Sequence, residues 1–201
     1  MLGLATPTDD GWIDAAIADV ASLLCDHAHC EMKAASNAMS LAVRHGDRPE
    51  LVQALTALAE EELAHFRRVH AILMERGIPL GNPPVDPYAA TLRRVAHELG
   101  QFRSPLVDRL LIGALIEARS CERFRILSER APEPELRTLY HELLASEAGH
   151  YRVFLDLAIA EAARDGIDAT AVRMRLRALA AAEGSIVARL VEEDERATVH
   201  G

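Results

Sequence analysis

Apolar residues recur along this chain at alternating steps of four and three, in long blocks separated by proline- and glycine-rich breaks. That spacing puts one apolar stripe on one face of a helix, and no period-two alternation of useful length points to a strand. The breaks are "HGDRP" (45–49), "RGIPLGNPPVDP" (76–87), "RAPEP" (130–134) and "RDGID" (164–168). Between them the pattern predicts four long helices, about 10–44, 49–76, 105–130 and 134–164. A shorter helix is expected at about 88–99 and a terminal one at about 169–192. Thr8, Asp9 or Asp10 is placed to cap the first helix, and Asp168 the last. Short links between the first and second, and the third and fourth, long helices imply two antiparallel hairpins. One long crossover joins them, which is the connectivity of a ferritin-like four-helix bundle. The expected fold is therefore all-α, a single domain over 1–201, with a short helix in the crossover and an extra C-terminal helix.

The four stripes share an anomaly. The first reads Ile13, Ile17, Val20, Leu24, His27, Glu31, Ala34, Ala38, Leu41, and the second Leu51, Leu55, Leu58, Glu62, His65, Val69, Ile72. The third reads Leu106, Leu110, Gly113, Glu117, Ser120, Phe124, Leu127, and the fourth Leu136, Tyr140, Leu143, Glu147, His150, Phe154, Leu157. Each carries a glutamate in mid-stripe, and in the second and fourth a histidine follows three residues later on the same face. Glu31 and Glu62 each lie thirteen residues from their shared turn, and so do Glu117 and Glu147. At about 1.5 Å per residue each hairpin brings its two glutamates level, roughly 20 Å from the turn. The chain reads as a tandem pair of one unit, Glu31…Glu62-x-x-His65 and Glu117…Glu147-x-x-His150.

Four bare carboxylates in one apolar core are very costly, whereas two divalent ions would balance their charge. Carboxylate-rich ligation with one imidazole per metal suits iron or manganese, while zinc sites lean on cysteine or several histidines. One Glu-x-x-His in a helix-rich chain is usually surface decoration. Two, both in apolar stripes and each matched in depth to a lone glutamate, point to a dimetal centre held by Glu31, Glu62, His65, Glu117, Glu147 and His150. Within "AEEELAHFRRVH" (59–70), Glu60 and Glu61 fall outside the stripe and read as solvated charge. His27, one turn before Glu31, is a candidate partner of a metal ligand, and Cys121, one turn after Glu117, another.

Composition narrows the function class. The net charge of −9 argues against a generic nucleic-acid binder, although local arginine patches remain available. Lys33 is the only lysine, so almost all positive charge is arginine. Three cysteines with no CxxC pair fit a reducing, cytoplasmic setting. No signal peptide or membrane span is expected.

The stretches "DHAHCEMKAASNAMSL" (26–41), "EELAHF" (61–66), "IEARSCERF" (116–124) and "LLASEAGHY" (143–151) resemble the bacterial tRNA-(2-methylthio-N6-isopentenyladenosine) hydroxylases. The similarity runs from about Trp12 past Tyr151, and "IEARSCERF" is far more specific than the general di-iron pattern. The family's ligands fall on the same six residues that the stripes select. One departure is Gly149, where the family pattern has arginine. The resemblance implies a di-iron monooxygenase with two iron ions (Fe2+/Fe3+). It would use O2 to hydroxylate the isopentenyl side chain of the modified adenosine beside the anticodon in tRNA. Two electrons would come from an external donor, a reductase or ferredoxin-like partner, since no flavin or nicotinamide fingerprint is present. The resemblance leaves monomer and dimer both open.

Arginines at 44, 48, 67, 68, 93, 94, 103, 119, 123 and 125 are candidates for a phosphate-contacting surface. Arg67, Arg68, Arg93, Arg94 and Arg103 are placed to grip the anticodon loop, with the target base out of its stack. The competing readings are an iron-handling or peroxide-removing protein of rubrerythrin or ferritin type, and a helical scaffold merely stabilised by metal. The absence of rubredoxin-like cysteine pairs disfavours a classical rubrerythrin.

Overall fold

The structure, a computed structural model, describes residues 2–83, 87–100, 102 and 104–193, with side chains described through Arg189. Its regular elements are α1 (Asp10–Ala18), α2 (Val20–Arg44), α3 (Pro49–Glu75), α4 (Tyr88–Glu98), α5 (Pro105–Arg130), α6 (Pro134–Arg164) and α7 (Ala169–Glu193). All are helices, as the periodicity predicts. One boundary needs correction, because the block 10–44 is two helices. Asp19 leaves helical geometry at φ −135° and ψ 78°, and its carboxylate accepts from the Ser22 N–H and hydroxyl. Aspartate is among the best N-caps, so this residue starts α2 where the stripe alone runs on.

Local chemistry sets the other ends. Pro49, Pro105 and Pro134 open α3, α5 and α6, where a missing N–H costs nothing. Gly77 and Gly166 take positive φ after α3 and α6, letting Ile78 and Ile167 donate back to the Leu73 and Ala162 carbonyls. Asp9 accepts from the Gly11 N–H at the start of α1, and Asp168 from the Ala171 N–H at the start of α7.

The described residues fall into two compact units. In the unit Ala18–Val85, α2 and α3 form an antiparallel hairpin whose core includes Leu24, Ala28, Ala38 and Leu41 against Leu51, Leu55, Leu58, Val69 and Leu73. The segment after α3 returns to α2, where Cys25 Sγ donates to Pro79 O and His29 Nε2 contacts Leu80 O at 3.3 Å.

In the unit formed by Met1–Ile17 and Asp86–Gly201, α5 and α6 make the second hairpin, and α4 and α7 pack on each other and on α5. α5 is therefore buried beyond its stripe, at Val107, Leu111, Ala114, Leu115 and Ala118 as well. Gly113 lets the Phe154 ring of α6 lie close to the α5 backbone. A Cβ there would meet that ring at 2.9–3.1 Å, and Phe154 is itself buried. Gly113→Ala should therefore lower unfolding free energy by about 1–2 kcal/mol, even after alanine's helix preference of about 1 kcal/mol is counted. Urea unfolding checks this.

Two arginines expected on the surface are inside this unit. Arg119 is 0% exposed and spends all five N–H groups. Nε and Nη2 hold both Glu183 carboxylate oxygens at 2.9 and 2.8 Å, a bidentate pair, and Nη2 also reaches Thr6 O. Nη1 donates to Glu122 at 2.6 Å and to the Thr8 hydroxyl at 3.0 Å. The Tyr88 hydroxyl donates to Glu183 at 2.9 Å. The Arg119–Glu183 pair thus joins the N-terminal segment, α4, α5 and α7. Arg123 is buried over the Trp12 ring, 4.9 Å from its centre. Neither faces a phosphate. A second bidentate pair, Arg175 on Asp108 at 2.8 Å, ties α7 to α5, and Arg175 also donates to Ala96 O near the end of α4.

Candidate metal centre

The stripe glutamates and histidines sit where helix periodicity sends them, inside. Glu31, Glu62, His65, Glu117, Glu147 and His150 are all buried. In the α2–α3 hairpin, Glu31, Glu62 and His65 each offer a ligand atom within 4.8 Å of the others. His65 Nδ1 lies 3.4 Å from Glu62 Oε2 and 3.7 Å from Glu31 Oε2. In the α5–α6 hairpin, Glu117 and His150 offer ligand atoms within the same limit, and Glu147 is one turn before His150 on α6. The level pairing expected from the turn distances is thus present for Glu31 with Glu62.

His27 is fully buried and its Nε2 lies 2.7 Å from Glu31 Oε1. Burial holds its pKa down to about 3, so the ring is neutral at ordinary pH and its Nε2–H donates to the carboxylate. Burial likewise pushes the Glu31 carboxyl well above the usual range, with the Glu62 carboxylate adding to the effect and His65 opposing it. Burial works against charge on His65, but the nearby carboxylates of Glu31 and Glu62 favour it and bring its pKa up to about 9. The hairpin thus holds a dry, acceptor-rich cluster that draws positive charge inward.

Two carboxylates and one imidazole per hairpin form a hard oxygen donor set with one nitrogen, which fits iron or manganese and lacks the thiolates of a structural zinc site. Cys121 is no part of that set. Its Sγ lies 3.8 Å from Leu144 O, and burial raises its pKa, so it stays a thiol that bridges α5 to α6. Ser146 Oγ lies 3.5 Å from His150 Nε2, a neighbour the stripes did not single out. Glu60 and Glu61 are exposed, as expected of solvated charge.

Of the arginines proposed to grip RNA, Arg67 and Arg68 are exposed on α3, and Arg93 and Arg94 on α4. Arg94 pairs with Glu98 at 2.8 Å. Arg103 lies outside the described residues. At Gly149 a Cβ meets nothing within 4 Å, so the structure leaves space for a side chain there. Among the described residues, no helix is long and apolar enough to cross a membrane.

Comparison with known proteins agrees with this chemistry. A family model described as "tRNA-(MS[2]IO[6]A)-hydroxylase (MiaE)" matches residues 2–200. A tRNA 2-(methylsulfanyl)-N(6)-isopentenyladenosine(37) hydroxylase from Pseudomonas putida is 47% identical, over 77% of this chain and 74% of that protein. A protein of the same name from Salmonella typhimurium is 31% identical over 81% of this chain and 77% of its own length. Among solved structures, "Protein 43 with aldehyde deformylating oxygenase activity from Synechococcus" is 36% identical, with a TM-score of 0.84. That match covers 98% of this chain and 95% of the other.

Proposed function

This chain belongs to the tRNA-hydroxylase family MiaE, and from that premise we propose that it hydroxylates the isopentenyl side chain of 2-methylthio-N6-isopentenyladenosine beside the anticodon in tRNA. The reaction converts a terminal C–H to C–OH. One oxygen atom of O2 enters the product and the other leaves as water, with two electrons and two protons supplied from outside. The observation that supports this most is the Glu31, Glu62 and His65 cluster, matched in sequence by Glu117, Glu147 and His150, in a chain whose family acts on this nucleoside.

The six residues are read as holding two iron ions, within a single catalytic domain spanning 1–201. Iron, when bound, supplies the activation of O2 that no side chain of this protein offers. What the chain contributes is positioning and dryness. Glu31, Glu62, Glu117 and Glu147 supply negative charge, His65 and His150 the nitrogen donors, and His27 fixes one Glu31 oxygen through its Nε2–H. Leu58 and Val69 flank Glu62 and His65 along α3, and Leu143 and Phe154 flank Glu147 and His150 along α6; all four are buried. Such apolar neighbours keep bulk water from an oxidising centre. The tRNA anticodon loop would meet the exposed arginines, Arg67, Arg68, Arg93 and Arg94. A reductase or ferredoxin-like protein would supply electrons, and the setting is cytoplasmic.

His27→Ala should weaken iron binding about 10–100-fold, the usual effect of removing a ligand's hydrogen-bond partner, with helix content unchanged. Competition for iron against a chelator measures it.

Aldehyde deformylation is the second reading, favoured by the Synechococcus relative. Purified, iron-loaded protein with a chemical reductant and O2 separates the two. An anticodon stem-loop RNA carrying the precursor nucleoside should gain one oxygen by mass. Formate release from an aldehyde, with the RNA unchanged, would favour deformylation.

A further inference from the structure

A cavity of about 400 Å³ opens on α2, lined by residues that the metal cluster does not use. His29, Met32, Lys33, Ser36, Asn37 and Ser40 line it, and Pro83, after α3, closes one wall. The α2 residues recur at steps of three and four, so they form one continuous stripe. At 100° per residue, Lys33, Ser36 and Ser40 lie between about 140° and 200° around the helix from Glu31. The cavity therefore faces away from the metal-binding stripe, across the thickness of a helix, about 10 Å. The reacting adenosine cannot occupy both places.

The lining chemistry is selective. Among the described residues its lining has no carboxylate, in a chain with net charge −9, and it holds the only lysine of the sequence. Lysine suits a phosphate oxygen. Asparagine and serine present hydrogen-bonding groups that read base edges, with asparagine matched to adenine. Met32 and the His29 ring offer a flat, polarizable wall for a base. His29 is itself 2% exposed, its Nε2 lies 3.3 Å from Leu80 O, and its Nδ1 has no hydrogen-bond partner. A buried imidazole with an uncommitted ring nitrogen lining a cavity is a recognition group in waiting. A volume of this order is within the range of small-molecule pockets and fits one nucleotide.

We propose that this cavity binds a nucleotide flanking the target adenosine in the anticodon loop, with Lys33 on its phosphate and Ser36, Asn37 and Ser40 on its base or sugar. This rests on the tRNA reading and adds to it a place where loop sequence is read apart from the metal cluster. The loop thereby straddles α2, so the flanking nucleotide anchors the RNA while its neighbour reaches the oxidising centre.

The test uses fluorescence anisotropy of the full chain with a fluorescein-labelled anticodon stem-loop RNA bearing N6-isopentenyladenosine. Lys33→Ala should weaken binding about tenfold and flatten the dependence of log affinity on log salt by about 0.7, the share of one single-stranded phosphate contact. Ser36→Glu/Ser40→Glu, which favours helix and adds repulsion, should weaken it further, with circular dichroism confirming the fold. Exchanging the bases flanking the adenosine should change affinity for the wild type and not for Asn37→Ala. If Lys33→Ala and Ser36→Glu/Ser40→Glu each bind with wild-type affinity and salt slope, the cavity assignment is wrong and the tRNA reading stands. If the wild type binds no RNA, both fall.

Discussion

Glu62→Ala is expected to yield a folded, helical protein that holds less than its pair of irons and hydroxylates nothing measurable. Glu62 sits 3.4 Å from His65 in a buried cluster, and its loss leaves that hairpin one carboxylate and one imidazole. Activity should fall more than about 1000-fold, equivalent to some 4 kcal/mol of barrier. Stability should move the other way in the metal-free state. Removing a carboxylate from a crowded, desolvated cluster relieves repulsion with Glu31, whose carboxyl burial and Glu62 already push well above the usual range. The metal-free variant should therefore melt at or above the temperature of metal-free wild type. Glu60→Ala, two residues earlier and exposed, should change neither iron content nor activity. Iron analysis, turnover and thermal melts on the three proteins check this. A Glu62→Ala variant that failed to fold even without metal would mean that the carboxylate serves structure instead.

The second large effect lies in the Arg119 cluster. Glu183→Ala should destabilise the protein by about 3–5 kcal/mol, because it strands a fully buried guanidinium that had a bidentate partner. Arg119→Met should cost a similar amount by leaving Glu183 and Glu122 without their shared cation. Arg119→Met/Glu183→Leu, which removes the charge pair together, should recover most of the loss. Urea unfolding of the three variants gives the comparison. If the double variant were no better than the sum of the singles, the cluster would be separable contacts rather than one unit.

Glu183 shows how far a stripe can be read. It lies in an apolar seam of α7, between Leu179 and Ala180 on one side and Ile186 and Val187 on the other, all buried. By pattern alone it looks like Glu62. What separates the two is the cation each meets, and Arg119 is 64 residues away in sequence. Periodicity shows that a carboxylate is buried; it does not show what neutralises it. The four stripe glutamates stand out because each has a counterpart at equal distance from a turn, and two have a histidine three residues on. Glu183 has neither. The same limit explains Arg119 and Arg123, which looked like surface cations until α4, α7 and the N-terminal segment covered α5.

The helix boundaries were legible where proline or a glycine at positive φ enforced them. Asp19 was missed because a cap inside an unbroken apolar pattern leaves no break to see. The stripes also slide at their C-terminal ends. In α3 and α6, Leu73 and Ala158 are buried where strict four-three spacing selects Ile72 and Leu157. A straight helix of 3.6 residues per turn drifts about 20° per heptad against a 3.5 repeat, so the inward position moves one residue on. At the glutamates and histidines themselves the spacing holds, and all six residues of the proposed centre are buried. The α2 cavity had no sequence signal, since its residues look like an ordinary polar face until the return of the chain at Leu80 and Pro83 walls them in.

This chain is read as a hydroxylase of isopentenylated adenosine in tRNA. Nucleoside mass spectrometry of tRNA from host cells lacking this protein tests it most directly. The hydroxylated nucleoside should vanish and its precursor accumulate, with wild type restoring the product and Glu62→Ala failing to do so. An unchanged nucleoside profile in cells that make the precursor would contradict the account.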